Sequence, residues 1–337
     1  MKKIIGFSSY LNIRAGGAEL STVQILKKLH SENNQIEIVS FQNPKIIKSK
    51  FFQFPKIWII SVINFTYNLK ILPYYEYLLN KRKVVNFFKL KNKKHSLITY
   101  GKYAPAAIQG FSGTSQLYFR CEDDFGINRN YHSGLKRIIK SILIFLEYPS
   151  LLIFRKDLKI ALNKSKAFCN SKFMQQKLYD LYGFKSELKY PYIDKDKLFI
   201  EYQTENQKDR TKGIVFVDGG AAKGKEISIK IAKSLESEIF YFFSKKIKKK
   251  TVKDNIVFFP WVRSTAKVLS YAKLVIVPSI WEEAFGRVAR ESKMLKIPVL
   301  VSNIGGLPES VYYDNNSIVN NFKETGSWVK KIMDTLD

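Results

Sequence analysis

The sequence predicts an α/β protein made of two doubly wound halves, and three observations carry that prediction. Short apolar runs beside turn residues alternate with segments of helical periodicity, the pattern of parallel sheets covered on both faces. The alternation halts at a polar stretch, DKDKLFIEYQTENQKDRTK over 194–212, and then restarts. At 337 residues, 45% hydrophobic and 14% aromatic, the chain can bury a substantial core in each half.

Lys3–Phe7 reads as a buried strand. The opening MKKIIGFSSY has two lysines, but its apolar run is short and no small-residue cleavage site follows, so a first strand is expected rather than a signal peptide. Ala18–Leu29 is expected to be an amphipathic helix, with Leu20, Val23, Leu26 and Leu29 at near-helical spacing. Gln35–Ser40 is the next strand, and residues 50–94 are expected to be helical. Leu97–Tyr100, Gln116–Arg120 and Ala167–Asn170 follow as strands. Two apolar segments, Trp58–Leu72 and Ile142–Phe154, fall short of the ~18–20 residues a spanning helix needs. For each, a helix lying in a membrane interface and a buried core helix both remain open.

The polar stretch 194–212 is the best linker candidate. Beyond it, strands are expected at Gly213–Asp218, Glu238–Phe243, Ile256–Phe259, Leu274–Val277 and Val299–Ser302. Helices are expected at Glu226–Leu235, Thr265–Ala272 and Gly286–Leu295. The domains are therefore drawn at 1–195 and 196–320, with 321–337 a terminal helix that packs back towards the first half.

Lys and Arg number 57 against 29 Asp and Glu, a formal net charge of +28. Residues 1–195 hold 33 of those bases and 12 of the acids, so three-quarters of the excess lies in the first half. Such a field draws that half towards an anionic membrane, a lipid-linked pyrophosphate or nucleic acid. Abundant Lys, Asn and Ile also fit an AT-biased genome, so charge alone assigns nothing. Nucleic acid ranks last, because no recognition helix or aromatic stacking motif accompanies the lysines. The two cysteines, Cys121 and Cys169, sit in apolar surroundings, and His30, His95 and His132 are scattered. Neither a disulfide framework nor a metal site is supported, and a reducing cytoplasm is expected.

The strongest local signal is PSIWEEAFGRVARESKMLKIPVLVSNIGGLPES, residues 278–310. A strand ends at Pro278, and an irregular stretch with Glu282, Glu283 and Gly286 leads into a helix. Parallel sheets bind ligands at the carboxyl ends of their strands, where this loop falls. Backbone N–H groups of Phe285, Gly286 and Arg287 open the helix, and a helix start attracts anions. Gly286 has no side chain to keep a ligand off the backbone. Eight residues of helix rise about 12 Å and turn by roughly 80°, so Glu283 and Glu291 can face one side. Two carboxylates straddling a phosphate site could grip a sugar at one end and a ribose at the other. For Glu282 a solvated surface role is the better reading.

Two glycine turns add to this. FVDGGAAKGK, residues 216–225, places Lys223 at a strand-to-helix turn, where it could neutralise a pyrophosphate. RAGGAELSTVQIL, residues 14–26, holds Gly16 and Gly17 after the first strand, where their amides could reach a phosphate. It lacks the full G-x-G-x-x-G spacing and a ribose-binding acid after the second strand, which argues against an NAD site.

The 278–310 segment resembles the E-x7-E region of the family-four retaining glycosyltransferases of the GT-B fold, with Glu283 and Glu291 as its acids. The likeness extends to Pro278-Ser279, Phe285-Gly286, Pro298-Val299 and Gly305-Gly306-x-Pro308-Glu309. Lys223-Gly224 is similar to the family's phosphate lysine, and Gly16-Gly17-Ala18-Glu19 to its first glycine turn. Asn170-Ser171, Tyr182-Gly183 and Pro191 to Asp194 resemble the stretch that ends its first domain, whereas residues 41–95 carry no likeness.

The resemblance implies two Rossmann-like domains facing across a cleft, the first for the acceptor and the second for the nucleotide sugar. It implies that Glu291 bonds the ribose, that Lys223 and the amides near Gly286 hold the diphosphate, and that Glu283 contacts the donor sugar. It further implies retention of anomeric configuration, no metal and no cofactor beyond a UDP-, GDP- or ADP-sugar donor. A glycan or lipid-linked acceptor in polysaccharide or lipopolysaccharide synthesis completes the expectation, with the protein in the cytoplasm or peripheral on an anionic membrane. Two departures stand out. Where many relatives carry an arginine before the phosphate lysine, this chain has Asp218-Gly219-Gly220-Ala221-Ala222, leaving Arg287 as the candidate substitute. No histidine follows Thr99-Tyr100-Gly101 or Arg120-Cys121-Glu122-Asp123-Asp124, where relatives often place one. Both keep open a second class: a catalytically weakened member that only binds.

Overall fold

The computed structural model describes residues 3–8, 17–41, 58–64, 69, 71–127, 134–207, 211–218, 220–262 and 264–337. The chain divides into two compact units, Met1–Tyr192 and Ile193–Asp337.

The first unit is built on a seven-stranded parallel sheet. Its strands are β1 (Lys3–Phe7), β2 (Gln35–Ser40), β3 (Ile59–Val62), β4 (Ser96–Tyr100), β5 (Thr114–Phe119), β6 (Lys166–Cys169) and β7 (Glu187–Leu188). They lie in the order β3-β2-β1-β4-β5-β6-β7, so the winding reverses between β1 and β4. Helix α1 (Gly17–Ser31) covers one face with Val23 and Leu26, which pack on Ile4, Ile36, Ile38 and Ile98. Gly6 permits that approach, since a Cβ there would lie 2.5 Å from Leu26 Cδ1. Helices α2 (Pro73–Lys89), α3 (Ala104–Gly110) and α4 (Gly134–Asn163) pack together, and Phe88 of α2 meets Phe7 of β1 edge-on with centroids 5.1 Å apart. α5 (Lys172–Tyr182) follows β6, its start capped by the Ser171 hydroxyl and its end by left-handed Gly183.

Two expectations change here. Residues 50–94, read as helical, contain strand β3 as well as α2, with 50–57 outside the described residues. Trp58–Leu72 is therefore not an interfacial or core helix: Trp58 is buried beside the first strands, and Ile59–Val62 extends the sheet. Gly16, one of the predicted phosphate-loop glycines, lies outside the described residues, and Gly17 is the first residue of α1.

The second unit repeats the plan. Its elements are α6 (Lys195–Asn206), β8 (Gly213–Asp218), α7 (Lys225–Ser234), β9 (Phe240–Ser244), β10 (Thr251–Lys253), β11 (Ile256–Pro260), α8 (Thr265–Leu269), β12 (Ala272–Val277), α9 (Arg287–Met294), β13 (Val299–Ser302), α10 (Leu307–Ser310), β14 (Ile318–Val319) and α11 (Thr325–Leu336). Strand order is β10-β11-β9-β8-β12-β13-β14, parallel except for β10, which pairs antiparallel with β11 through a turn at left-handed Asp254. Alternate residues of each strand feed opposite faces. Val215, Phe243, Val275 and Val301 pack under α6, α8 and α9, whereas Ile214, Phe242, Ile276 and Leu300 pack under α7 and α11.

The stretch read as a linker is largely helix α6. Asp194 accepts the Lys197 N–H as its cap, Leu198 is buried, and Phe199 and Tyr202 lie against the same core. Three apolar residues among mostly polar neighbours make too narrow a stripe to register as periodic. The terminal helix α11 packs on the second unit, with Trp328 and Ile332 fully buried in its core. No helix among the described residues is long and apolar enough to cross a membrane.

Candidate functional site

In the second sheet the winding reverses between β8 and β12, which are hydrogen-bonded neighbours. Connections after these two strands leave to opposite sides, and ligands of open α/β sheets sit in the crevice so formed. The loop after β8 turns tightly through Ala221–Lys223 to Gly224, with Gly220 and Gly224 both left-handed at φ 94° and 80°. A Cβ on Gly224 would stand 1.9 Å from the carbonyl oxygen of Pro278, so this glycine lets the β8 loop press against the end of β12. The Ile280 N–H donates to Ala222 O at 3.0 Å and ties the loops together.

This contact brings Lys223 and Glu283 into one site. Lys223 Nζ lies 2.6 Å from Glu283 Oε2 and 5.3 Å from the centre of the Trp281 ring. The Ser279 hydroxyl donates to the other carboxylate oxygen of Glu283. Glu283 is 7% exposed, and burying a carboxylate that deeply is costly without such partners. Its backbone is braced from behind: Gly306 N–H donates to Glu283 O at 2.7 Å, and a Cβ on Gly305 would meet the Glu283 backbone at 2.6 Å. The Gly-Gly of the 278–310 segment is thus the seat of its first acid.

Glu283 lies in irregular backbone before Gly286, the left-handed (φ 97°) residue that caps α9. Only Arg287 onward is helical, so the expected eight-residue helical rise between Glu283 and Glu291 does not apply. Glu291 is 4% exposed, and Arg287 Nη2 donates to its Oε1 at 2.9 Å. Arg287, the expected substitute for the family arginine, is therefore engaged one turn along its own helix. The Phe285 side chain is buried beneath the Arg290 guanidinium, which also stacks on Tyr312 at 3.6 Å, so only the backbone of Phe285 suits a ligand.

One cation escaped sequence reasoning. Lys246, two residues past β9, places its Nζ 3.7 Å from where a Gly220 Cβ would be, beside the Lys223 loop. It sits in the run SKKIKKK, where nothing in the sequence separates a site lysine from solvated ones. Gly219 lies outside the described residues.

In the first unit, Arg120 at the end of β5 is 7% exposed and lies between the rings of Tyr100 and Tyr118, at 4.7 and 4.9 Å, with its guanidinium donating to the Thr22 hydroxyl. Asp124 Oδ2 accepts the N–H groups of Arg120 and Cys121 at 2.6 and 3.0 Å. Burial pushes its carboxyl up to about 6. Asp124 is thus a buried structural carboxylate of the turn that follows β5. Burial also pushes the Cys169 thiol up to about 12.

The family model described as Glycosyl transferases group 1 matches residues 215–337. A Klebsiella pneumoniae relative, an "uncharacterized 41.2 kDa protein in cps region", is 31% identical over 88 residues. That match spans 26% of this chain and only 24% of the relative. The solved structure of WaaG, a glycosyltransferase involved in lipopolysaccharide biosynthesis, is similar with a TM-score of 0.68 at 14% identity, over 99% of this chain and 90% of WaaG. HepE of Anabaena, solved with UDP and glucose, gives 0.69 at 14% identity over 100% and 90% of the two chains. TarM gives 0.69 at 12% identity over 99% and 91%. From residue 215 to its last residue the chain matches the group 1 glycosyl transferases, and along its length it has the fold of GT-B glycosyltransferases of solved structure.

Proposed function

We propose that the protein is a retaining, metal-independent glycosyltransferase that moves a sugar from a nucleotide diphosphate to a glycan or lipid-linked acceptor. Cell-surface polysaccharide or lipopolysaccharide synthesis is the setting, with the basic first unit approaching an anionic membrane. The observation that carries this reading is the Lys223–Glu283 pair, held where the winding of the second sheet reverses and next to the start of α9. The diphosphate lies along the Lys223 loop and the Gly286 backbone, with Lys246 as a further cation. Glu291 takes the ribose hydroxyls once Arg287 turns from it to the phosphates. Glu283 contacts the hydroxyls of the donor sugar. Catalysis is then the stabilisation of a departing diphosphate beside an oxocarbenium-like carbon by fixed charges and amides. The cps-region relative and the lipopolysaccharide enzyme among the fold neighbours support the setting, and the UDP-bound neighbour supports the donor class.

The test is a thermal-shift and calorimetric screen of UDP-, GDP- and ADP-sugars, followed by nucleotide release with and without acceptor glycans. Binding of one sugar nucleotide, weakened about tenfold or more in Lys223→Ala, is expected. Binding without release under any acceptor would favour the weakened, binding-only class. Unchanged affinity in both Lys223→Ala and Glu291→Ala would remove the site.

A further inference from the structure

Helix α4 is apolar on two faces, and Leu151, Phe154, Leu158 and Leu162 are buried on the inward one. Its inward face carries two buried carboxylates, Glu147 at 1% and Asp157 at 4% exposed. Glu147 accepts the backbone N–H of Tyr74 at 2.8 Å, and Asp157 accepts the Tyr77 hydroxyl at 2.8 Å and pairs with Lys81 at 2.7 Å. Phe154 packs between them, edge-on to Tyr77 with centroids 5.2 Å apart. The outward face is apolar as well. Leu135, Ile138, Ile142, Phe145, Leu152 and Ile160 recur at helical spacing along it and are 72, 58, 55, 78, 47 and 37% exposed. Over these residues the stripe runs about 38 Å. A soluble helix ordinarily buries such a stripe and wets its acids, and a contiguous apolar strip of this extent marks an interaction surface.

The exposed charges that α4 itself carries along the stripe are all of one sign. Arg137 and Lys140 stand at its N-terminal end and Lys156 and Lys159 at its C-terminal end, whereas the acids of α4 face inward. At the C-terminal end the stripe runs into an open groove of about 430 Å³ lined by Leu152, Arg155, Lys156, Lys159, Leu181 and Tyr182. Arg155 is set in place by two hydrogen bonds to Gly126 O, at 3.0 and 3.3 Å. Three cations over an apolar floor suit a phosphodiester with its acyl chain.

We propose that α4 is the membrane-seating element of the first unit: its stripe enters the headgroup–acyl boundary of an anionic bilayer, and the Arg155–Lys156–Lys159 groove takes a phospholipid headgroup. Charge selects this occupant over a second copy of the chain, since two such faces would oppose cation to cation across a shared stripe. Apolar insertion combined with basic flanks is the composition of helices that lie in a membrane interface. The membrane contact of the proposed function thereby gains a location. The donor site plays no part in it, so either can fail alone.

The test is co-sedimentation of the full chain with phosphatidylcholine vesicles containing about a third phosphatidylglycerol, at physiological salt, beside pure phosphatidylcholine. Binding to the anionic vesicles only is expected. Ile142→Asp/Phe145→Asp and, separately, Lys156→Glu/Lys159→Glu should each lower vesicle affinity about tenfold or more, with melting temperature and nucleotide affinity unchanged. All four positions are exposed, so these variants should fold. If Ile142→Asp/Phe145→Asp binds as the natural sequence does, the general positive charge of the chain is responsible and the seating role is wrong. A dimer in solution that Phe145→Asp dissociates, without vesicle binding, would assign the stripe to a second copy instead.

Discussion

Lys223 of the β8 loop and Glu283 of the β12 loop meet at 2.6 Å, so two segments sixty residues apart in sequence close into one charged pair. A diphosphate arriving at Lys223 must compete with that carboxylate. Replacing Glu283 by Gln frees the lysine while removing the acid beside the sugar. We expect turnover to fall about a hundredfold or more and affinity for the nucleotide alone to stay equal or tighten, read by initial rates and calorimetry.

The Arg287–Glu291 pair makes a different demand. Glu291→Ala leaves a guanidinium that is 15% exposed in its side chain without its carboxylate. A loss of about 1–3 kcal/mol in stability is expected from urea unfolding, together with weaker nucleotide binding. Glu291→Gln, which keeps a hydrogen-bond acceptor, should recover most of the stability but not the affinity.

Gly224 and Gly183 provide a matched pair of left-handed glycines, with φ of 80° and 73°. A methyl on Gly183 meets nothing within 4 Å, whereas on Gly224 it would strike Pro278 O. Gly183→Ala should cost about 1 kcal/mol, the conformational term alone. Gly224→Ala should cost several times that, and should move Lys223 away from Glu283 and so abolish nucleotide binding.

Asp124 gives a pH signature. Its carboxyl is raised to about 6 by burial, above the ordinary 3.8, so the folded chain holds a proton that the unfolded chain has released in that interval. The associated stability is complete below about pH 4 and is lost as pH rises through 6, amounting to at most ~3 kcal/mol. Asp124→Asn, which retains an acceptor for the Arg120 and Cys121 N–H groups, should flatten that part of the stability–pH curve. Unchanged slopes in thermal melts between pH 4 and 7 would show that the carboxylate is accommodated in its charged form.

Much of the fold and of the candidate site is legible in the order of the residues. Val23 and Leu26 of α1 land on the sheet as their spacing requires, and Lys223, Glu283 and Gly286 gather at the end of the second sheet as the strand–loop–helix pattern implies. What stays hidden is information that only exists between distant segments. Lys246 is one lysine among many until β9 is placed next to β8. Leu198 is an isolated apolar residue until a core lies beneath it, so α6 reads as linker. In α4 apolar residues ring the helix, and the face that turns inward is the one whose Glu147 and Asp157 meet the Tyr74 N–H, the Tyr77 hydroxyl and Lys81 on a helix some seventy residues earlier.

The acids of α4 therefore also govern its roll. A helix held by hydrocarbon can turn slightly about its axis and lose little, but rotation by one residue, about 100°, would strip Glu147 and Asp157 of their donors at once. The greasy side is thus clamped towards the solvent and has no way to tuck itself in. A chain wired like this should take up detergent micelles or apolar dyes while its domain stays folded, and Phe145→Asp should lower that uptake.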